Sequence, residues 1–406
     1  MSQNLLQINA TVNADSAGRI ADDIGKMAIA YGYESYIAYG RSNKGSSSNL
    51  IRIGNKMNIA THGLYSLLFD KQGLASRQAT KNFVRQIESI RPDIIHIHNL
   101  HGYYINYEIL FRYINTLEVP VVWTFHDCWP FTGHCSFFDA VHCDKWQTEC
   151  DACPNRAGYP RSLFVDSSKS IFRRKKKLFS SCMNLTIVTP SVWLADIVKS
   201  SFLGSKNIIT IHNGVDMNIF QPATSVEAYR KYSIPQNKFI ILGVAGVWSK
   251  RKGLDDFVTL SKRIDDRSII ILVGLDKQQQ KDLPKNIKGI SRTDNIRELA
   301  QLYAMSDVFV NPTWVDNFPT TNIESLACGT PVITYHTGGS PEALSEDTGF
   351  IVEKGDITGL LSAIDKVREL GKAAFTEKCR QRAIQFFDKE ARYKDYMDLF
   401  QRIKKL

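Results

Sequence analysis

The chain has 406 residues, 43% of them hydrophobic and 23% charged, a balance that excludes intrinsic disorder and gives more core than one ordinary domain uses. Its net charge of +10 and pI near 9.1 favour a polyanionic partner: nucleic acid, an anionic membrane surface or a phosphate-rich substrate. No run approaches the ~18 apolar residues of a transmembrane helix, and the opening M-S-Q-N-L-L-Q lacks the basic-then-apolar pattern of a secretory leader, so a cytoplasmic protein is expected.

Apolar runs of strand length alternate with amphipathic helix-length segments, which predicts α/β layers with largely parallel sheets. The first series of expected strands covers 5–8, 35–39, 94–98, 119–125, 186–188 and 208–211. After its first member, Ser16, Ala17 and Gly18 lead into a helix carrying Ile20, Ile24 and Met27, either as a plain turn with Ser16 as N-cap or as a phosphate contact through Gly18. Ligands in open α/β sheets sit beyond the carboxyl ends of the strands. That rule singles out Asn99 and His101 after 94–98, and His126 and Asp127 after 119–125.

Five of the eight cysteines, Cys128, Cys135, Cys143, Cys150 and Cys153, fall in the segment 128–160. Without an export signal, metal is the stronger reading. Cys135, Cys143, Cys150 and Cys153 form a candidate tetrahedral structural zinc site, with Cys128, His134 and His142 as substitutes. The run F-R-R-K-K-K-L-F at 172–179 is the densest positive charge; its Arg173, Arg174, Lys175, Lys176 and Lys177 read either as a solvated helix face or as a contact with an anionic membrane.

The turn-rich passage 213–237 separates this series from a second one at 239–244, 269–273, 308–310, 331–334 and 350–352, so a hinge is expected there. Lys250, Arg251 and Lys252 follow 239–244, where fixed cations can stabilise a departing diphosphate. The stretch 308–344 reads strand, loop, short helix, strand and Gly-Gly turn, an arrangement whose helix N-terminus and glycine amides attract anions. Its two acids, Asp316 and Glu324, cannot themselves bind phosphate. Glu324 also fits a capping box with Thr321, and Asp316 fits a turn with Asn317. The tail 391–406 is helix-like, with Tyr393, Tyr396, Met397, Phe400 and Ile403 on one face. The paired acids Asp22-Asp23, Asp255-Asp256 and Asp265-Asp266 read as helix surface.

Asp316 and Glu324 bracket a seven-residue gap, and this segment resembles the acidic motif of retaining GT-B enzymes of glycosyltransferase family 4, with Asp in the first place. The resemblance extends over essentially the whole chain through S-A-G-R-I-A, P-D-I-I-H-I-H-N-L-H-G, V-W-T-F-H-D-C-W-P-F-T-G-H-C, T-P-S-V-W-L, H-N-G-V-D-M-N-I-F-Q-P and R-K-G-L-D. It is strongest toward the subgroup that assembles bacterial capsule, O-antigen or colanic-acid-type exopolysaccharide. It implies two Rossmann-like domains facing across a cleft: an acceptor-side domain at 1–212 with the Cys-rich insertion, a nucleotide-sugar domain at 213–390, and a helix at 391–406 packing back on the first domain.

The same resemblance implies roles for single residues. Glu324 would hold the ribose hydroxyls, Asp316 and His126 would face the donor sugar as catalytic residues, and Lys252 with Arg251 would bind the diphosphate. Asn317, Phe318, Pro319, Thr320, Thr321 and Gly18 complete the implied donor site, while Asn99, His101 and Asp127 lie on the acceptor side. One departure stands out: the family commonly has arginine just after the glycine equivalent to Gly246, and this chain has Val247, so Arg251 or Lys250 must replace it.

The expected function is retaining transfer of a sugar from a nucleotide donor to a glycan, lipid-linked, with no catalytic metal, by a protein that is cytoplasmic or peripheral on the inner membrane. No nucleic-acid partner is expected, because the cysteine region is not notably basic. The alternatives are a nucleotide-sugar epimerase on the same architecture, a phosphorylase, whose lysine motif the chain lacks, and a zinc-containing nucleic-acid binder.

Overall fold

The computed structural model describes residues 3–223 and 226–404; residues 1, 2, 224, 225, 405 and 406 of the expected domains lie outside the described residues. The chain divides into two compact units, Met1–Ile211 with Tyr393–Leu406, and His212–Arg392.

The first unit holds β1 (Gln3–Asn9), β2 (Tyr33–Tyr39), β3 (Asn49–Arg52), β4 (Ile94–Ile97), β5 (Val121–Thr124), β6 (Leu185–Thr189) and β7 (Asn207–Thr210). They form one parallel sheet in the order β3-β2-β1-β4-β5-β6-β7. Central strands of such a sheet are covered on both faces, which is why β4, β5 and β6 are buried throughout. The order reverses between β1 and β4, leaving a crevice beyond their carboxyl ends.

The helix Ser16–Ala30 buries Ile20, Ile24 and Ala28 against β1. Its N-cap is Asp15 and not Ser16: the Asp15 carboxylate accepts from the Gly18 amide at 2.8 Å. An anion therefore already stands where a phosphate on Gly18 would have to sit. The helix Lys389–Ile403 buries Tyr393, Tyr396, Met397, Leu399 and Phe400 in the same core as Leu5, Ile94 and Val122.

The basic run lies on the helix Ser168–Ser180, and Lys175 is on its buried face. Its ammonium donates to the carbonyls of Trp129 at 2.6 Å and Thr132 at 3.1 Å and sits over the Trp129 ring. Burial pushes its pKa well below the usual lysine value. Arg173 and Arg174 are paired with Glu149 and Glu108. Arg173, Arg174, Lys176 and Lys177 are exposed, so Lys175 alone of the five drops out of both readings of the run, the solvated face and the membrane contact. Two of the acids read as surface are also buried, Asp22 at 1% and Asp256 at 9% exposure; Asp256 accepts from the Trp314 indole at 2.6 Å.

The second unit holds β8 (Phe239–Val244), β9 (Ser268–Val273), β10 (Ile287–Ile290), β11 (Val308–Asn311), β12 (Val332–Tyr335) and β13 (Gly349–Val352), parallel in the order β10-β9-β8-β11-β12-β13. Here the order reverses between β8 and β11. No helix among the described residues is long and apolar enough to cross a membrane.

Candidate active site

The two loops that leave β8 and β11 flank the reversal point of the second sheet, and they carry the residues singled out in the sequence. Gly246 borders open space and Val247 is 78% exposed, so the position that would take arginine in the family holds a solvent-facing valine. The following turn Lys250–Lys252 is locked by Gly253 at φ +76°, where a side chain would run into the Pro312 carbonyl. That close approach joins the two loops. Arg251 donates to the Val315 carbonyl at 2.8 Å, and its own carbonyl accepts from the Trp314 amide at 2.9 Å. Lys252 forms an ion pair with Asp316, both partly exposed.

Beyond Asp316 the chain turns into the helix Thr320–Ala327, whose N-cap is Pro319. Proline offers no side-chain cap, so the N-cap residue itself does not neutralise the dipole's positive end. Thr321 lies inside this helix, which rules out the capping box with Glu324. Glu324 is instead buried at 9% exposure, and its Oε2 accepts from the Tyr303 hydroxyl at 2.9 Å. Tyr303 is wholly buried, and burial followed by the Glu324 charge raises its phenol well above the usual range, so it stays a donor.

Asn322, which the sequence did not mark, and Gly339 of the marked Gly-Gly turn hold this arrangement. Asn322 accepts from Asn311 at 2.8 Å and donates to Ser340 Oγ at 2.9 Å, tying β11, the helix and the Gly-Gly turn together. The Gly339 amide donates to the Asn317 carbonyl at 2.8 Å. Phe318 is only 4% exposed and stacks on His212 at 4.9 Å between centroids, so its side chain belongs to the core of the unit and only its backbone can meet a ligand. Structure thus brings Arg251, Lys252, Asp316, Asn317, Pro319, Thr320, Thr321 and Glu324 to one sheet end, and leaves Gly18 in the other unit.

In the first unit, Asn99, His101, His126 and Asp127 gather at the ends of β4 and β5. His101 Nε2 lies 2.8 Å from Asp127 Oδ2, as an ion-pair contact rather than an aligned hydrogen bond, and its Nδ1 is 3.2 Å from the Tyr159 hydroxyl. Although burial acts to raise the Asp127 pKa, His101 and the Trp129 amide hold it below the usual aspartate value. The Asn99 amide donates to Asn9 Oδ1 at 3.2 Å. His126 is half-buried, and burial pushes its imidazole down to about 4.

All eight cysteines are free thiols. Cys135, Cys143, Cys150 and Cys153 line one cavity of about 10 Å³, room for a single water-sized body, together with Phe138 and Trp146. The Gly133 amide donates to Cys150 Sγ at 3.2 Å. Among the described residues, no three His, Cys, Asp or Glu side chains are already drawn into an arrangement that could hold a metal. His134 also lines the cavity, with its Nδ1 2.7 Å from buried Asp70.

Residues 17–219, half the chain, match the family described as Glycosyltransferase Family 4, and residues 238–369 match Glycosyl transferases group 1. The chain belongs to glycosyltransferase family 4. This glycosyltransferase is similar to the "Putative colanic acid biosynthesis glycosyl transferase WcaC" of Escherichia coli K12, with 24% identity over 98% of this chain and 100% of that one. Its fold is GT-B, as in the sucrose-phosphate synthase of Thermosynechococcus elongatus, with a TM-score of 0.73 at 17% identity over 99% of both chains. Anabaena Alr3699/HepE, solved in complex with UDP-glucose, gives a TM-score of 0.66 at 15% identity, over 98% of this chain and 99% of that one.

Proposed function

We propose that this glycosyltransferase moves a sugar from a nucleoside-diphosphate donor to a glycan acceptor carried on a lipid, in bacterial surface polysaccharide assembly, with retention at the anomeric carbon. The observation that carries this reading is the Lys252–Asp316 pair beside an uncapped helix N-terminus, with Glu324 held behind it by Tyr303. The names of the similar proteins, one of colanic acid biosynthesis and one solved with UDP-glucose, support the donor and the pathway class.

The chemistry follows from those charges. The bond from the anomeric carbon to the diphosphate oxygen breaks as the bond to the acceptor hydroxyl forms on the same face, and negative charge grows on the leaving diphosphate, which takes the acceptor's proton. In this reading Lys252, Arg251 and the amides of Thr320 and Thr321 would neutralise that charge without a catalytic metal; their nearness on the loops after β8 and β11 supports it. Before donor binds, Asp316 neutralises Lys252. An arriving diphosphate takes over the ammonium and frees Asp316 to accept a sugar hydroxyl. Glu324, an acceptor-only carboxylate fixed by Tyr303, suits the two adjacent hydroxyls of a ribose. The resemblance alone assigns His126 to the donor sugar.

A lipid-borne acceptor also gives a reason for the helix Lys56–Phe69, which is amphipathic in the wrong sense. It buries His62 and Ser66 and exposes Met57, Leu64, Tyr65 and Phe69. The Leu163 amide donates to the Leu67 carbonyl at 2.8 Å, which brings exposed Phe164 alongside. Residues 41–87 carry eight Lys and Arg against one acid, the buried Asp70, a balance that suits an anionic bilayer. Phe164→Glu should lower sedimentation with phosphatidylglycerol vesicles; unchanged sedimentation would remove this surface from the proposal. Four thiols around one ion-sized cavity likewise support a structural zinc in the 128–160 segment, with the side chains turning inward to reach it.

The deciding experiment is a binding and turnover screen against UDP-, GDP-, ADP- and dTDP-sugars. Acceptor-dependent release of nucleoside diphosphate is expected with one of them. Conversion of a donor to its epimer without acceptor, or no response to any donor together with tight RNA binding, would overturn the proposal.

A further inference from the structure

Trp314 follows β11, two residues before Asp316, and 38% of it is exposed. A surface tryptophan is ordinarily free to swing, but this one is held on three sides. Its indole N–H donates at 2.6 Å to Asp256, which is only 9% exposed on the helix Leu254–Ser261. The wholly buried Tyr335 ring on β12 meets it edge-on, with 6.3 Å between centroids at 86°. Gly355, just past β13, is the third restraint: its φ of +83° suits glycine, and a Cβ there would come within 3.1 Å of the indole. A ring fixed in this way has little freedom left to lose when a ligand covers it.

The exposed part of the indole has a polar rim. Lys354 Nζ stands 6.0 Å from the ring centre, beyond contact, and has no ion-pair partner among the described residues. A flat apolar surface edged by a hydrogen-bond donor complements a pyranose, which carries C–H groups on its faces and hydroxyls around its edge. The C–H groups are the positive side of that contact, and the indole face is the negative one.

A nucleobase also stacks on tryptophan, but it is joined to the ribose that Glu324 is proposed to hold. Right-handed crossovers that run opposite ways along a parallel sheet lie on opposite faces of it. The helix Leu254–Ser261, which leads from β8 to β9, therefore lies on one face, and Thr320–Ala327, which leads from β11 to β12, on the other. Trp314 is anchored to the first of these and Glu324 belongs to the second. Asp316, by contrast, is within reach, since Cα atoms two residues apart are separated by no more than about 7 Å.

We infer that Trp314, with Lys354 at its edge, is a carbohydrate subsite that stacks the acceptor sugar ring next to the one being transferred. This assignment rests on the reading above that Asp316 meets the donor sugar.

The test uses the full chain labelled with 5-fluorotryptophan, the Trp314 ¹⁹F signal being the one lost in Trp314→Phe. Neutral and uronic-acid trisaccharides are the probes, with UDP, GDP, ADP and dTDP as controls. At least one trisaccharide should shift that signal saturably, and no nucleotide should. A signal that no trisaccharide moves, or that moves with a nucleotide alone, would overturn the inference. Lys354→Ala should weaken the trisaccharide about threefold or more; unchanged affinity would remove the lysine from the subsite. In turnover with the donor and acceptor of the screen, Trp314→Ala should raise the acceptor KM about tenfold or more and leave nucleoside diphosphate affinity unchanged. Trp314→Phe, which keeps a ring without the N–H, should recover most of that loss. An unchanged acceptor KM in Trp314→Ala, or parallel loss of nucleoside diphosphate affinity in both variants, would overturn the subsite and leave the proposed function standing. If every donor fails while a trisaccharide still shifts the signal, the proposed function falls and Trp314 remains a carbohydrate site.

Discussion

Replacing Lys252 by Met separates a catalytic charge from a structural one. In the free protein the Lys252 ammonium and the Asp316 carboxylate are 22% and 16% exposed, partly screened by solvent, so the pair is worth at most about 1 kcal/mol to stability. Its value in the reaction is larger. A full charge about 4 Å from a leaving diphosphate is worth roughly 4 kcal/mol at an effective dielectric near 20, and removal of one such preorganised donor typically costs about 2.7–4 kcal/mol. At about 1.4 kcal/mol per tenfold, kcat/KM should fall roughly 100- to 1000-fold. Thermal unfolding should shift by no more than a few degrees. Lys252→Arg should recover part of the rate, since guanidinium keeps the charge but spreads it over a wider, planar group. The assay is acceptor-dependent release of nucleoside diphosphate by variants of matched stability. A Lys252→Met enzyme within about fivefold of wild type would refute the placement of the diphosphate at this loop.

The partner residue should respond with opposite signs in two assays. Asp316→Asn removes the competitor for Lys252, so nucleoside diphosphate should bind more tightly by calorimetry while sugar transfer falls; parallel losses in both would contradict the exchange. Acid should destabilise the first unit. Burial lowers the pKa of His62 to about 4, of His96 to about 3 and of His98 well below the usual value, so the unfolded chain takes up protons near pH 6.5 that the native one refuses. Their contribution is intact above pH 6.5 and is lost as pH falls toward their native values, at roughly 1 kcal/mol each by pH 5.5. His134 works against this, because Asp70 outweighs burial and raises its pKa; its contribution is present at low pH and lost as pH rises. Urea midpoints should therefore drop from pH 7 to 5.5 on balance, and a flat profile would show that these rings are not buried neutral. Metal analysis of protein purified without added metal should give about one zinc per chain, lost in Cys150→Ser with Cys153→Ser; no zinc in wild type would remove the metal from the Cys-rich segment.

Eleven strands were legible because they are buried runs of Ile, Val, Leu and Phe with turn residues between them. The two that were not, β3 and β10, are both edge strands. An edge strand has one neighbour and a half-exposed face, so Asn49–Arg52 and Ile287–Ile290, the latter interrupted by Gly289, carry no continuous apolar signal. In the candidate site, the two acids were legible only through the family resemblance, and the lysine through its place after β8. Their pairing was not, since 64 residues separate Lys252 from Asp316 and only the neighbouring of β8 and β11 brings them together. Tyr303 was hidden because its helix, Ile296–Met305, reads as an ordinary amphipathic segment. Lys175 misled because a five-residue cationic run on a helix must put some member on the inner face, and here that member satisfies two carbonyls.

The central claim is that the loop and helix after β11 hold the nucleotide sugar, and its most direct test is titration of wild type and Glu324→Ala with the donor found in the screen. Wild type should bind and the variant should show no measurable affinity, measured at a temperature where both are fully folded, since loss of the Tyr303 acceptor should itself lower the variant's unfolding temperature. Equal binding by the two proteins would contradict the placement of the ribose on Glu324 and, with it, the account of the site.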